Sequence, residues 1–195
     1  SLLVSPIFGL GEGAGYGIVC IMTIAIQRNH PSLWQIPSLL PDDHKYTRGH
    51  VLLLGSASMT GAARLAALAA QRVGAGLVTL AAPPSAWPVY ATALMSVITH
   101  KLTKDAGFGW LLDQRKVNVA LLGPGTDPLE VRGRLTAAIR RSKPLVLDAG
   151  ALTLLAHAPA LREKLRDVPF ILLPHEGEYP GILPGVLHLL QDQPG

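Results

Sequence analysis

The sequence is short of cysteine, aromatic residues and clustered charge, and each shortage excludes a class of protein. The chain has a single cysteine, Cys20, so it cannot form an internal disulfide. The absence of disulfides is typical of proteins in the reducing cytoplasm. Aromatic residues make up 5%, too few for a surface on which nucleic-acid bases stack. The net charge is +4, but the basic residues are scattered and form no stripe. We therefore predict a cytoplasmic protein that binds no nucleic acid.

The sequence also lacks an apolar run of membrane-spanning length. Residues 14–26 are the best candidate, but a helix needs roughly 20 apolar residues to cross a bilayer. No basic segment precedes this run, so it does not resemble a signal peptide either. Apolar residues nevertheless make up 49% of the chain, and charged residues only 15%. This balance predicts a large buried core and no membrane partner.

The first 30 residues differ from the rest of the chain. They combine a glycine-dense stretch with the apolar run IVCIMTIAI at 18–26, which we interpret as a strand. Pro31, Pro37 and Pro41 then mark an extended connector. We predict an N-terminal arm or linker over 1–30 and one domain over 31–195.

The pattern from residue 50 onward is a regular alternation of strands and helices. Short apolar runs predict strands over 50–54, 76–82, 96–102, 117–122, 144–148 and 169–173. Helices are predicted over 60–73, 128–141 and 151–157, and over 86–95 with an interruption at Pro88. Such alternation predicts an α/β fold with a mostly parallel central sheet and helices on both faces.

The alanine-rich helix at 60–73 has hardly any polar surface. Arg64, Gln71 and Arg72 form its only polar stripe, and small or apolar residues occupy the other positions. Alanine lets a helix lie close to a sheet, so we expect this helix to be central and buried on most sides.

Glycine or ionisable residues follow four of the predicted strands, where ligands of open α/β sheets bind. The glycine loop ending at Gly61 is interpreted either as a phosphate cradle or as a tight turn with Ser58 or Thr60 as N-cap. Gly123 and Gly125 are expected to leave room for a ligand. Within the same loop, Asp127 and Pro128 have the spacing of an N-cap and a first helical residue.

Four further candidate residues carry ionisable groups. Asp148 ends an apolar strand, where it would either orient a ligand or cation or cap the next helix. His175 and Glu178 have the chemistry for acid–base work or for binding a sugar or amide. Lys45 would either reach a phosphate or lie in an exposed basic turn. No second cluster supports a metal site.

These motifs resemble, in the same order, those of the ADP- or ATP-dependent NAD(P)H-hydrate dehydratases. The resemblance runs from about Pro31 to Tyr179 and rests on HKYTRGHVLLLGSASMTGAARLAALAAQRVGAGLVTLAA, LLGPGTD, VLDAGAL and LLPHEGE. It implies a three-layer, ribokinase-like fold and nucleotide-dependent dehydration of hydrated NADH or NADPH, a metabolite repair reaction. It further implies ADP or ATP with Mg²⁺ as cofactors.

The same resemblance implies roles for individual residues. Ala62, Gly125 and His175 would contact the hydrated nicotinamide nucleotide, and the loop 55–61 and Asp148 would line the same cleft. Phosphorylation of the hydrate hydroxyl followed by elimination of phosphate would be the reaction.

The sequence departs from the family pattern at two loop positions and at its end. Ser56 stands where a second glycine is usual, and Gly150 where many members have a second aspartate. After PHEGE the family continues to a glycine-rich GTGD-type motif with the catalytic aspartate, whereas this chain reads YPGILPGVLHLLQDQPG.

We therefore expect a fold that is incomplete at its C-terminal end and a chain whose own activity is doubtful. The alternatives are a non-catalytic nucleotide-binding remnant and a ribokinase-like small-molecule kinase. An exposed sheet edge would also favour a homo-oligomer.

Overall fold

The structure, a computed structural model, describes residues 2–3, 27–28, 30, 32, 35, 38, 40–103, 105–114, 116–178 and 181. Two short strands, β1 (Leu2–Leu3) and β2 (Gln27–Arg28), form an antiparallel pair. The strand predicted at 18–26, most of the predicted arm and the sequence after PHEGE lie outside the described residues.

Six parallel strands form the main sheet in the order β5-β4-β3-β6-β7-β8. Their bounds agree with the predicted runs to within two residues: β3 (His50–Leu54), β4 (Leu77–Ala82), β5 (Ile98–Lys101), β6 (Val119–Leu122), β7 (Leu145–Leu147) and β8 (Phe170–Leu172). The predicted parallel α/β architecture is confirmed.

Helices connect these strands and cover both faces of the sheet. They are α1 (Thr60–Arg72), α2 (Trp87–Ala93), α3 (Asp105–Gln114), α4 (Pro128–Ile139), α5 (Ala149–Ala156) and α6 (Pro159–Glu163). Leu52 and Leu54 of β3 belong to a core shared with α3 to α6, whereas Leu53 belongs to a core shared with α1 and α2. The alternation of side chains along β3 thus separates the two helical layers.

Three predicted helix features are corrected or refined. Pro88 does not interrupt a helix: it lies in the first turn of α2, where no backbone N–H is needed. Helix α3 was not predicted, because Gly107 and Gly109 lower the helical propensity of its sequence. Helix α5 begins at Ala149, two residues earlier than predicted, with Asp148 as its N-cap.

Helix α1 lies over β3 and β4, but the prediction that it is buried on most sides is wrong. Only Ala63 and Ala67 are fully buried. Leu65 and Leu68 are 71% and 45% exposed, on the side turned away from the sheet. Alanine does bring α1 close to the strands, as expected, but its larger apolar side chains face outward.

The helices on the α1 side of the sheet do not cover all of its strands. On the α1 side, the register aligns Leu53, Leu121, Val146 and Ile171 across four strands. Leu53 is fully buried, the next two are partly buried, and Ile171 is 53% exposed. Among the described residues, the α1 layer therefore covers β3 but leaves β8 open on that face.

Candidate functional site

The four loops singled out in the sequence follow strands that are neighbours in the sheet. The strands β3, β6, β7 and β8 are adjacent and parallel, so their carboxyl ends lie along one edge. The glycine loop, Gly123 and Gly125, Asp148 and the PHEGE segment therefore lie side by side along this edge, which we call the cleft. Parallel α/β sheets bind ligands at such an edge.

The loop after β6 packs tightly against the loop after β7. Gly123 has φ +119°, and a Cβ built on it would overlap the carbonyl oxygen of Asp148. A Cβ built on Gly150 would likewise overlap the carbonyl oxygen of Thr126. The expectation that Gly123 leaves room for a ligand is corrected, because the Asp148 backbone occupies that space.

The loop after β6 also contacts the beginning of α1. Gly125 has φ +69°, and a Cβ on it would lie 2.6 Å from the Met59 carbonyl oxygen and 3.4 Å from the Ala62 Cβ. The structure thus brings Ala62 and Gly125 together, as two residues of one substrate site would be. Here too the glycine is needed for close approach of backbone, and not for open space.

The glycine loop after β3 ends at an α1 N-terminus that has no side-chain cap. The prediction that Ser58 or Thr60 caps this helix is wrong: the N-cap is Met59, which has no side-chain hydrogen bond to the helix. Ser56 shapes the loop instead, because its Oγ accepts from the backbone N–H groups of Ser58 (3.1 Å) and Met59 (3.2 Å). A Cβ at Gly61 would meet nothing within 4 Å, so the space beside this residue is open.

Asp148 combines a structural role with an unusual electrostatic setting. Its Oδ1 accepts from the Ala149 N–H at 2.9 Å, which caps α5, and both residues are half-buried. Burial raises the pKa of Asp148, and the nearby Glu178 raises it further, whereas the Ala149 hydrogen bond and His175 act in the opposite direction. The cleft thus contains a carboxyl group that a cation or a hydrogen-bond donor would stabilise in its charged form.

His175 and Glu178 form a compact turn beside Asp148. The Glu178 carboxylate accepts from the His175 backbone N–H at 3.0 Å, and its second oxygen lies 3.7 Å from His175 Nε2. The Gly177 N–H donates to His175 Nδ1 at 3.0 Å, so the neutral ring carries its proton on Nε2. The side chain of His175 is 74% exposed and that of Glu178 is 17% exposed. The Glu178 carboxylate therefore holds the His175 backbone, and the imidazole ring of His175 is exposed and can contact a ligand.

Lys45 lies apart from the other predicted site residues. It lines a pocket of about 390 Å³ with Arg48 and Gly76, the residue before β4. This is the amino end of the strands, whereas the cleft lies at their carboxyl ends. The structure therefore brings together the predicted cleft residues except Lys45: Gly61, Ala62, Gly123, Gly125, Asp148, His175 and Glu178.

Two side chains that contact the glycine loop were missed in the sequence. Tyr90 of α2 is fully buried, and its hydroxyl donates to the Ser56 carbonyl at 3.1 Å. Glu130 of α4 accepts from the Ala57 N–H at 3.0 Å. Only Glu130 had a sequence signal, because Asp127 and Glu130 have the spacing of a capping box.

The described residues contain no group of three or more His, Cys, Asp or Glu side chains placed to hold a metal ion. Within the same residues, no helix has the length and hydropathy needed to span a bilayer.

The fold identifies the structural class of the protein, and comparisons with known proteins identify its family. The fold is ribokinase-like: the structure aligns with a ribokinase-like superfamily protein from Enterococcus faecalis at a TM-score of 0.63 and 18% identity, over 80% of this chain and 58% of that one. Residues 50–194 match the family model described as NAD(P)H-hydrate dehydratase. The chain belongs to this family, and the match extends beyond Tyr179, where the resemblance was expected to end.

Two curated relatives and one solved structure agree with this assignment. A bifunctional NAD(P)H-hydrate repair enzyme from Coxiella burnetii is 37% identical over 73% of this chain and 28% of its own length. An ADP-dependent (S)-NAD(P)H-hydrate dehydratase from Xanthomonas campestris is 35% identical over 73% of this chain and 50% of its length. The ADP/ATP-dependent dehydratase from Bacillus subtilis, co-crystallised with ATP/Mg²⁺, aligns at a TM-score of 0.58 and 26% identity over 80% of this chain and 55% of that one. The chain thus spans between about a quarter and about half of the length of these relatives.

Proposed function

We propose that the cleft binds the hydrated nicotinamide ring of NADH or NADPH hydrate and serves in its nucleotide-dependent dehydration. The observation that carries this proposal is the meeting of Ala62 with Gly125, in one cleft with Asp148 and His175. The resemblance assigns these residues to the substrate cleft, and they come from four separate segments of the chain. The relatives named as dehydratases support the same reaction.

The chemistry of the cleft suits this substrate. The hydrate carries a hydroxyl group and a carboxamide, which need hydrogen-bond donors and acceptors in fixed positions. The exposed His175 ring offers an N–H at Nε2, 3.7 Å from the Glu178 carboxylate, and Asp148 offers a carboxyl group that can accept or donate. The uncapped N-terminus of α1 beside Gly61 is a favourable place for a phosphate of the nucleotide.

The proposed cofactors are ADP or ATP with Mg²⁺, which would phosphorylate the hydrate hydroxyl before phosphate is eliminated. Mg²⁺ is bound in such sites by one or two carboxylates together with phosphate oxygens of the nucleotide. Asp148 and Glu178 are the cleft carboxylates that fit this donor set, since the charge of Glu178 already raises the pKa of Asp148 and a cation would relieve that repulsion.

Recovery of the reduced-nicotinamide absorbance tests the proposed reaction. The purified 195-residue chain would be mixed with hydrated NADH, ADP and Mg²⁺. Recovery above a protein-free control would show that this chain contains the complete site. Binding of the hydrate without recovery would limit the chain to the substrate side of the site. Phosphorylation of a small alcohol without either result would favour the small-molecule kinase alternative.

We also propose that the chain forms a homo-oligomer in the cytoplasm. Leu65 and Leu68 of α1 have exposed apolar side chains, and Ile171 is half-exposed on β8, the last strand of the described part of the sheet. These side chains support a contact with a second copy. Sedimentation velocity of the wild type and of Ile171→Asp tests this contact. A monomeric wild type would contradict it.

A further inference from the structure

The structure points to Glu130 as a positioning residue for the cleft. Glu130 lies in the first turn of α4, and its two carboxylate oxygens are used separately. Oε2 accepts from the Asp127 N–H at 3.0 Å, which completes the capping box of α4. Oε1 accepts from the Ala57 N–H at 3.0 Å, in a loop 73 residues away along the chain.

The capping box of α4 is complete without the hydrogen bond between Glu130 and Ala57. A capping box needs only the bond from Glu130 to the N-cap backbone and the reciprocal bond from the N-cap side chain. Asp127 supplies the second bond, because its side chain accepts from the Glu130 backbone N–H, and its Oδ1 also accepts from the Leu129 N–H at 2.8 Å. The remaining oxygen of Glu130 therefore connects α4 to the glycine loop after β3, and one carboxylate fixes the spacing of two loops of the cleft.

We infer that Glu130 holds the glycine loop in the position that receives the substrate. Ala57 lies directly between Ser56, which shapes the loop, and Ser58 and Met59, which lead into α1. The same two loops meet where Gly125 contacts Met59 and Ala62. A shift of the Ala57 loop would therefore move Ala62 relative to Gly125. Glu130 itself needs no contact with the substrate for this effect.

This inference rests on the proposed function for its affinity readout, but the bond to Ala57 is measurable without any ligand. Amide hydrogen exchange of Ala57, followed by ¹⁵N NMR, reports this bond directly. In Glu130→Ala we expect Ala57 to exchange about tenfold faster or more, because a hydrogen bond to a charged group is worth about 1.5–3 kcal/mol. We expect the dissociation constant for NADPH hydrate to rise by a similar factor.

Two further variants separate positioning from stability. Asp127→Ala removes the N-cap side chain of α4 but keeps the backbone N–H and Glu130. It should lower the free energy of unfolding by about 1 kcal/mol and leave both Ala57 exchange and hydrate affinity at wild-type values. Glu130→Gln keeps one acceptor oxygen, so it should recover part of the affinity lost in Glu130→Ala.

The outcomes distinguish failure of this inference from failure of the proposed function. Unchanged Ala57 exchange in Glu130→Ala would overturn the inference, as would an equal loss of affinity in Asp127→Ala. If the folded wild type does not bind NADPH hydrate at all, the proposed function fails. Faster Ala57 exchange in Glu130→Ala would still support the connection between the two loops.

Discussion

The carbonyl oxygen of Asp148 occupies the space where a side chain on Gly123 would lie. This contact joins the loops after β6 and β7, and it requires both a glycine and its positive φ of +119°. The cleft is therefore built by backbone packing between loops, and its polar groups are positioned by that packing.

Gly123→Ala should destabilise the protein strongly. The alanine would need a strained backbone, which costs about 1–3 kcal/mol, and would also displace the Asp148 backbone. Urea unfolding measures the loss. Gly61→Ala is the matched control, because a Cβ there meets nothing within 4 Å and alanine favours helix by up to about 1 kcal/mol. Equal stability of the two variants would contradict the described packing.

Asp148→Asn should change how stability depends on pH. Asparagine keeps the N-cap and resembles the protonated aspartic acid. Because the pKa of Asp148 is raised by folding, the native state holds its proton longer than the unfolded state does. The stability of the wild type relative to Asp148→Asn should therefore be highest below the ordinary aspartate pKa of about 3.9, and should fall as pH rises through the raised value.

Asp113 provides a control of opposite sign. Hydrogen bonds from Arg141, at 2.7 and 2.9 Å, lower the pKa of Asp113. The stability of the wild type relative to Asp113→Asn should therefore be greatest above the ordinary aspartate pKa, and should be lost as pH falls through the lowered value. Free energies of unfolding between pH 3 and 7 test both signs. The same trend in both variants would contradict the assignment.

Leu53 and Ile171 should respond very differently to truncation, although they share one row across the sheet. Leu53→Ala removes a fully buried side chain and should cost about 2–5 kcal/mol. Ile171 is half-exposed, so Ile171→Ala should cost less than about 1 kcal/mol. Denaturant unfolding of dilute protein measures both values. A large cost at Ile171 would show that the α1-side face of β8 is covered in solution.

The sequence predicted the strands better than it predicted their arrangement. Uninterrupted apolar runs such as HVLLL identify buried parallel strands, and Asp127 with Pro128 identified the start of α4, as the structure confirms. The order of the strands is not encoded in local pattern, so the meeting of four loops remained an expectation until the register was known. Helix α3 was missed because its glycines obscure the helical period.

The candidate site, too, was predicted only in part from the sequence. Residue type and position after a strand were enough to select Asp148 and His175. Local sequence could not reveal that Gly123 and Gly125 serve loop packing, because their partners lie far away along the chain. The Glu130 bond to Ala57 was invisible for the same reason. Lys45 was a candidate for a phosphate contact or an exposed basic turn, and only the sheet shows that it lies at the other end of the strands.

The most direct test of ligand binding in this cleft is calorimetric titration of NADPH hydrate into the wild type, His175→Ala and His157→Ala. Both histidines are exposed, but His157 is the C-cap of α5, outside the cleft. We predict saturable binding to one site per chain, weakened about tenfold or more in His175→Ala and unchanged in His157→Ala. Absence of binding to the folded wild type, or equal affinity in all three proteins, would contradict the assignment of this cleft to the hydrated nicotinamide nucleotide.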